Sequence, residues 1–222
     1  KFIVILEKEN YMDINETEYD ISLNSPLLPV IKRVQKAAES VLSAKRYEHS
    51  VRVAQTALKM CVLYKVDPAR GYLAGISHDI CKELSSVQLM DIACRDGNPV
   101  SAVEKERPSL LHGRAAAVLL KEDYEIYDKE LLDSVAFHTF GHKKFGDLGK
   151  IVYSADKIEP GRENITAEYL EHLFSMSLNL LTKETLENCL DFVRKRNRPL
   201  APESLDFLKK LEKDIKKTKR DN

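Results

Sequence analysis

From Pro29 onward, apolar residues recur three and four positions apart, the period of a helix that buries one face. Val30, Ile31, Val34, Ala38, Val41 and Leu42 form the first stripe, and Val51, Ala54, Leu58 and Cys61 form a second within a helix predicted over 46–64. Asp67 and Pro68 have the order of an N-cap and a first-turn proline. They open a third predicted helix, through residue 84, in which Ala69, Leu73, Ile76 and Ile80 share a face. Further helices are predicted over 85–94, 112–120, 129–138, 147–159, 167–181, 184–194 and 202–217, with Pro160 and Gly161 ending the fourth of these. Little of the chain alternates with the two-residue period of a half-buried strand, so the predicted fold is all-α. The helical bundle spans residues 29–210. An arm or linker precedes it over 1–28, where FIVIL suggests a short strand and KENYMDINETEYDISLNS is polar and turn-rich. A charged, solvated tail over 211–222 follows it.

At 222 residues the chain is long enough for one sizeable domain with a real core. Its 35 acidic and 35 basic residues cancel, which argues against broad electrostatic binding of nucleic acid or an anionic membrane. Local phosphate binding needs only a few residues and stays open. Cys61, Cys81, Cys94 and Cys189 are scattered with no CxxC pair, the pattern of reduced thiols in a cytoplasmic protein. No apolar run approaches the length of a membrane span, and no signal peptide is visible. The chain starts at Lys1, so a processed form and a piece of a longer protein are both open.

Chemistry enters with the histidines. In the stretch VDPARGYLAGISHDICKEL, His78 and Asp79 are adjacent inside the predicted third helix. Side chains of helical neighbours point about 100° apart, so both serve one site only if it lies at that helix's edge. Asp156 shares a helical row with Leu148 and Val152 and should point inward. A carboxylate there costs several kcal/mol without a partner, and a metal ion would offset that cost. Taken singly, His49, His112, His138, His142 and His172 each read more readily as a satisfied core histidine than as a ligand. Imidazole and carboxylate donors without thiolates suit iron, manganese, cobalt or zinc in a catalytic site. Spacing alone does not bring ligands from five helices together.

The ordered series His49, His78-Asp79, His112, His138, Asp156 resembles the metal-dependent phosphohydrolases of the HD-domain superfamily. The dipeptide HD is common by chance. The wording of RYEHSVRVA, AGISHDICKEL, LLHGRAAA, VAFHTFGH, IVYSADKIEPGRE and RPLAPESLDFL is more specific. It is similar to the YqeK family of bacterial symmetrical diadenosine tetraphosphate hydrolases, over residues 46–208. This resemblance implies an HD-domain helical bundle with two divalent or mixed-valence metal ions, iron first, with manganese, cobalt or zinc as alternatives. His49, His78, Asp79 and Asp156 would hold one, and Asp79, His112 and His138 the other. The implied partner is a small-molecule dinucleoside polyphosphate rather than nucleic acid or membrane, with a homodimer left open. A metal-bound hydroxide would attack in line and yield two ADP.

Asp79, Lys82 and His142 are then the catalytic candidates. Lys82, Arg114, His142, Lys157 and Arg162 are the substrate-binding candidates. Lys82 lies four residues after His78, one helical turn along the same face. Arg114 sits at a predicted helix start, which favours phosphate. Lys157 and Arg162 flank Asp156, and His142 is the candidate to protonate the leaving phosphate. Glu159 is expected to orient a ligand or Arg162, and His172 to be structural. No P-loop glycine motif appears. The competing readings are an HD phosphohydrolase of another nucleotide (a nucleoside monophosphate or guanosine tetraphosphate) and a non-catalytic nucleotide sensor. Gly71-Tyr72 lacks a following Pro, so the signature of cyclic-dinucleotide members is missing.

Overall fold

The computed structural model of the chain describes residues 25–218 and residue 220. The expected FIVIL strand and nearly all of the 1–28 arm lie outside the described residues. Within them the chain forms eleven α-helices and one short 3-10 turn, with no strand.

α1 (Leu28–Val41) buries Ile31, Val34 and Ala38. α2 (Ala44–Leu63) and α3 (Pro68–Ser77) form a tight pair. Asp67 caps α3 by accepting from the Ala69 amide at 2.9 Å, as its place before Pro68 predicts. Gly75 faces the Ala54 backbone so closely that an added Cβ would lie 2.5 Å from Ala54 Cα. The two helix axes can approach this far only because neither residue carries a bulky side chain.

α4 (Ser86–Cys94) starts on a Ser85–Gln88 capping box. α5 (Ala102–Glu106) starts on another, Ser101 with Glu104, and a 3-10 turn (Pro108–Leu111) leads into α6 (His112–Asp123). α7 (Lys129–Ala136) is capped by Asp128, which accepts from the Leu131 amide. α8 (Asp147–Ile158) ends before Pro160, as expected. α9 (Ala167–Phe174), α10 (Leu178–Lys195) and α11 (Pro202–Thr218) complete the chain.

α8 is buried on two sides. Val152 and Ala155 belong to the main core shared with α1, α2, α3, α6 and α7. Tyr153 joins Leu186, Leu190, Phe207 and Leu211 in a second cluster under α10 and α11. Leu211 is fully buried and α11 continues to Thr218, so no structural break separates the bundle from the stretch expected to be tail.

Two boundaries differ from expectation. The helix predicted to run to residue 84 stops at Ser77, and the chain continues in tight turns, with Ile80, Lys82 and Leu84 amides bonded three residues back. The imidazole Nδ1 of His78 lies 2.6 Å from the Gly75 carbonyl. That is the acceptor a continuing helix would offer to the Asp79 amide, so the side chain competes with the backbone and the helix unwinds. The helix predicted over 167–181 is also interrupted. α9 stops at Phe174, where Ser175 Oγ bonds the His172 carbonyl at 2.7 Å, and α10 restarts after Ser177 and runs unbroken through the second segment predicted over 184–194. Leu173 and Leu178 are both buried on either side of this corner, which a straight helix with those residues on different faces would not allow. α5 and the 3-10 turn were not predicted, being too short to show a periodicity. For α5 the Ser101–Glu104 capping box was the available signal.

Candidate metal centre

His49, His78, Asp79, His112, His138 and Asp156 come from α2, the turn after α3, the start of α6, the turn after α7, and α8, and they all converge. All six are buried. Asp79 is the hinge of the cluster. Its Oδ2 faces His78 Nε2 at 3.6 Å and His49 Nε2 at 3.9 Å. Its Oδ1 faces His112 Nε2 at 3.0 Å and His138 Nε2 at 3.7 Å. Asp156 Oδ1 approaches His49 Nε2 at 3.2 Å and His78 Nε2 at 3.7 Å. One carboxylate thus presents each of its oxygens to a different pair of imidazoles.

The histidines are oriented from behind. His78, His112 and His138 place Nδ1 against the carbonyls of Gly75, Ser109 and Val135 at 2.6, 2.7 and 2.8 Å. Each acceptor lies three residues back, and the Nδ1–H donates to it. His49 Nδ1 instead meets Glu159 Oε1 at 3.1 Å, and Arg52 Nε and the Gly161 amide hold the other oxygen of Glu159 at 2.6 Å each. With Nδ1 protonated toward these acceptors, every Nε2 turns a lone pair inward.

The inward lone pairs are poorly served by protein alone. His112 Nε2 and His138 Nε2 stand 3.0 Å apart. Among the described residues, His49 Nε2, His78 Nε2 and Asp79 Oδ1 are buried without a hydrogen bond. They lie within ionic range of other groups but are not aligned as donor and acceptor. Three overlapping triads, His49–His78–Asp79, His78–His138–Asp156 and Asp79–His112–His138, keep their donor atoms within 4.8 Å of one another. Such a set of nitrogen and carboxylate donors fits divalent metal ions, and the absence of thiolates among them fits a catalytic site.

Charge reinforces the fit. Burial by itself would raise the Asp79 carboxyl, but His78, His112 and Lys82 outweigh it and hold it well below the usual carboxylate range. Asp156 behaves likewise, with Lys157, His49 and His78 overcoming burial. Burial lowers His78, and burial together with His112 and His78 pushes His138 well below the ordinary imidazole value. Both rings are therefore neutral, the form that ligates metal. Glu159 is drawn to about 2, because His49, Arg52 and the Gly161 amide outweigh its burial.

Four cations surround this core. Lys82 Nζ lies 3.6 Å from Asp79 Oδ1 and 3.1 Å from His112 Nε2. It reaches the site through the turns after α3, not along the face of a continuous helix. Lys157 Nζ bonds Asp156 Oδ2 and the His138 carbonyl, both at 2.7 Å. Arg162 bonds the Asp156 carbonyl through Nε at 2.6 Å and Oδ1 through Nη2 at 2.8 Å. The fourth is Arg46, which sequence reasoning did not single out; its Nη1 lies 2.9 Å from Asp79 Oδ2. The available signal was its place three residues before His49 on α2, a spacing that puts both on one face.

Two candidates are not brought into the centre. Arg114 was expected to bind phosphate at a helix start, but its guanidinium is buried and saturated. It grips both oxygens of Asp96 at 2.7 and 2.8 Å, Glu104 at 3.2 Å, and the carbonyls of Asn98 and Pro99. It fastens the segment before α5 to α6 and has no donor left to offer a phosphate. His142 stacks on Phe137 at 4.8 Å, and its Nδ1 accepts from the Lys144 amide. Burial lowers its affinity for a proton, which favours the neutral ring. The Glu159 carboxylate meets His49 rather than the Arg162 side chain, and His172 pairs at the surface with Glu184 at 3.7 Å.

This bundle and its centre are those of an HD-domain hydrolase, and residues 46–161 match the HD domain. The chain is 35% identical over 134 residues to the symmetrical bis(5'-nucleosyl)-tetraphosphatase of Staphylococcus aureus, covering 60% of this chain and 68% of that protein. The Bacillus subtilis protein of the same name is 28% identical over 163 residues, 73% of this chain and 87% of that one. Among solved structures, a Clostridium acetobutylicum protein described as a predicted HD superfamily hydrolase involved in NAD metabolism superposes with a TM-score of 0.76 at 29% identity. That match covers 82% of this chain and 97% of the other. The chain belongs to the YqeK family of HD-domain hydrolases. Among its described residues, no helix is long and apolar enough to cross a membrane.

Proposed function

We propose that this protein hydrolyses diadenosine tetraphosphate symmetrically to two ADP, as a cytoplasmic enzyme acting on a free nucleotide. The observation that carries this reading is the two-sided Asp79 carboxylate, with one histidine pair facing each oxygen. His49, His78, Asp79 and Asp156 are the ligands on one side, and Asp79, His112 and His138 those on the other. Two bound cations, iron first and otherwise manganese, cobalt or zinc, supply water activation and offset the phosphate charge.

The chain's own residues do the rest. Asp79 and Asp156 carry the negative charge that holds the centre together, and the Nδ1 anchors keep the four imidazoles in a single tautomer. Lys82, Lys157 and Arg162 add positive charge where a polyphosphate must lie, lowering the cost of gathering its anionic oxygens. Water adds its oxygen to one central phosphorus, the central P–O bond breaks, and the bridge oxygen leaves with the other ADP. A nucleotide phosphate leaves readily as an anion near neutral pH, so departure needs no dedicated proton donor. The placing of His142 outside the cluster accords with that.

The reading is tested with purified protein supplied anaerobically with iron, or with manganese, and diadenosine tetraphosphate. ADP is the expected nucleotide product. AMP plus ATP, or no turnover by protein with full metal content, would refute it.

Glu159→Gln tests the orientation of His49. The amide removes a charge from the only side-chain anchor among the four Nδ1 contacts, and metal affinity is expected to fall about 10- to 100-fold. Competition with a chromogenic chelator measures this, and an unchanged affinity would show that Glu159 does not position the ligand.

A further inference from the structure

Arg114 is buried, charged and unused by the proposed reaction. Its side chain is 6% exposed, and all five donors of its guanidinium are engaged. Nε and Nη2 hold the two oxygens of Asp96, Nη2 also meets the Asn98 carbonyl, and Nη1 serves the Pro99 carbonyl and Glu104. Every acceptor lies on the chain before α6. One side chain thus closes two loops, spanning 18 positions to Asp96 and 10 to Glu104. His112 sits inside both.

His112 needs such closure more than the other histidines do. The carbonyls that anchor His78 and His138, those of Gly75 and Val135, belong to α3 and α7. The carbonyl that anchors His112 is that of Ser109, in a 3-10 turn of four residues. This turn follows a helix of only five residues, and segments so short have too few internal hydrogen bonds to hold their own shape. α6, by contrast, is seated closely on α7, since a Cβ at Gly113 would lie 2.8 Å from the carbonyl oxygens of Val135 and Ala136. Arg114, in the first turn of α6, therefore ties a weak segment to a fixed helix.

We infer that Arg114 is a positioning residue for one half of the centre. By clamping residues 96–104 to α6 it fixes the Ser109 carbonyl, which holds the His112 ring with Nε2 turned toward Asp79 Oδ1 at 3.0 Å. Arg114 acts only through this turn and touches none of the six ligands. On the other side of Asp79, His49 is held by Glu159 and His78 by Gly75, neither of which belongs to the clamped segment. The effect of Arg114 is therefore confined to the Asp79–His112–His138 side. For its consequence on metal binding, the inference rests on the two-ion centre proposed above.

The test compares the parent with Arg114→Met and Glu104→Gln, each as the full chain. Glu104→Gln keeps the α5 capping box, because Gln88 fills the same place in the box that opens α4, and it removes the charge that faces Arg114. The first measurement needs no metal: long-range proton–nitrogen NMR spectra of the histidine rings, on chelator-treated protein at a pH where the rings are neutral, report each tautomer. His112 in the parent should show the Nδ1–H form. In Arg114→Met it should show a mixture of both tautomers, with His49 and His78 unchanged. The second measurement is stepwise manganese binding by equilibrium dialysis. One of the two ions should bind about 10- to 100-fold more weakly, the scale for losing the support of a metal-bound histidine, and the other should keep its parental affinity. Glu104→Gln should move both readings in the same direction by less. A parental His112 tautomer in Arg114→Met would overturn the inference, and so would equal weakening of both ions, the mark of a general loss of structure. If Arg114→Met does not fold, Glu104→Gln decides by the same criteria, and parental readings in it refute the role. A parent that takes up a single ion would count against the proposed reaction, while the tautomer of His112 would still decide the role of Arg114.

Discussion

Asp79→Asn is expected to lower turnover by about 10³-fold or more, the largest effect of any single substitution in this protein. The change preserves the shape of the side chain and removes its charge. It also replaces one acceptor oxygen by an NH2 group whose protons would point at an imidazole lone pair on whichever side it faces. In the parent, Oδ1 lies 3.0 Å from His112 Nε2 and Oδ2 lies 3.6 Å from His78 Nε2, so no rotamer flip spares both sides. The same substitution leaves Arg46 and Lys82 without the carboxylate that both now approach. Metal content should fall along with turnover, measured by elemental analysis after purification. A variant that retained full metal and a tenth of parental turnover would show that Asp79 does not bridge the two halves of the centre.

Gly75→Ala should have the largest effect on stability, with a loss of about 3 kcal/mol, the upper part of the range for overpacking a core. The new methyl would meet Ala54 Cα at 2.5 Å and the Ala54 nitrogen at 2.8 Å. Both are backbone atoms, which no rotamer change can move, so α2 and α3 must separate. That separation would also carry His49 away from His78, which follows α3 directly. Thermal or urea unfolding measures the first consequence and metal affinity the second. A variant with an unchanged midpoint would mean that the α2–α3 crossing is looser than these distances state.

Helix number and placement were largely legible because an amphipathic helix needs only a local repeat. α2, α8 and α11 fall close to their predicted ranges for that reason. The interruption at residues 175–177 was not legible. It contains neither proline nor glycine, and it arises where Leu173 and Leu178 each find a place in the core. The end of α3 was missed for a similar reason. Nothing in the run of apolar residues through Ile80 states that the His78 imidazole will take the Gly75 carbonyl. Arg114 shows the limit for single charges. Its place after His112 at a helix start suited a phosphate ligand equally well, and only the folded positions of Asp96 and Glu104 decided otherwise.

The sequence by itself determined an all-α chain, the six imidazole and carboxylate residues as candidates, and, through the wording of their surrounding motifs, the family. Periodicity and motif order are properties of neighbouring residues, so they survive in one dimension. The tertiary structure decided that the six residues meet, that Asp79 turns one oxygen to each histidine pair, that Glu159 orients His49, and that Arg46 belongs to the site while Arg114 does not. These are contacts between residues 10 to 110 positions apart. They depend on how closely helices pack and on which buried charges find partners, and no local pattern encodes either.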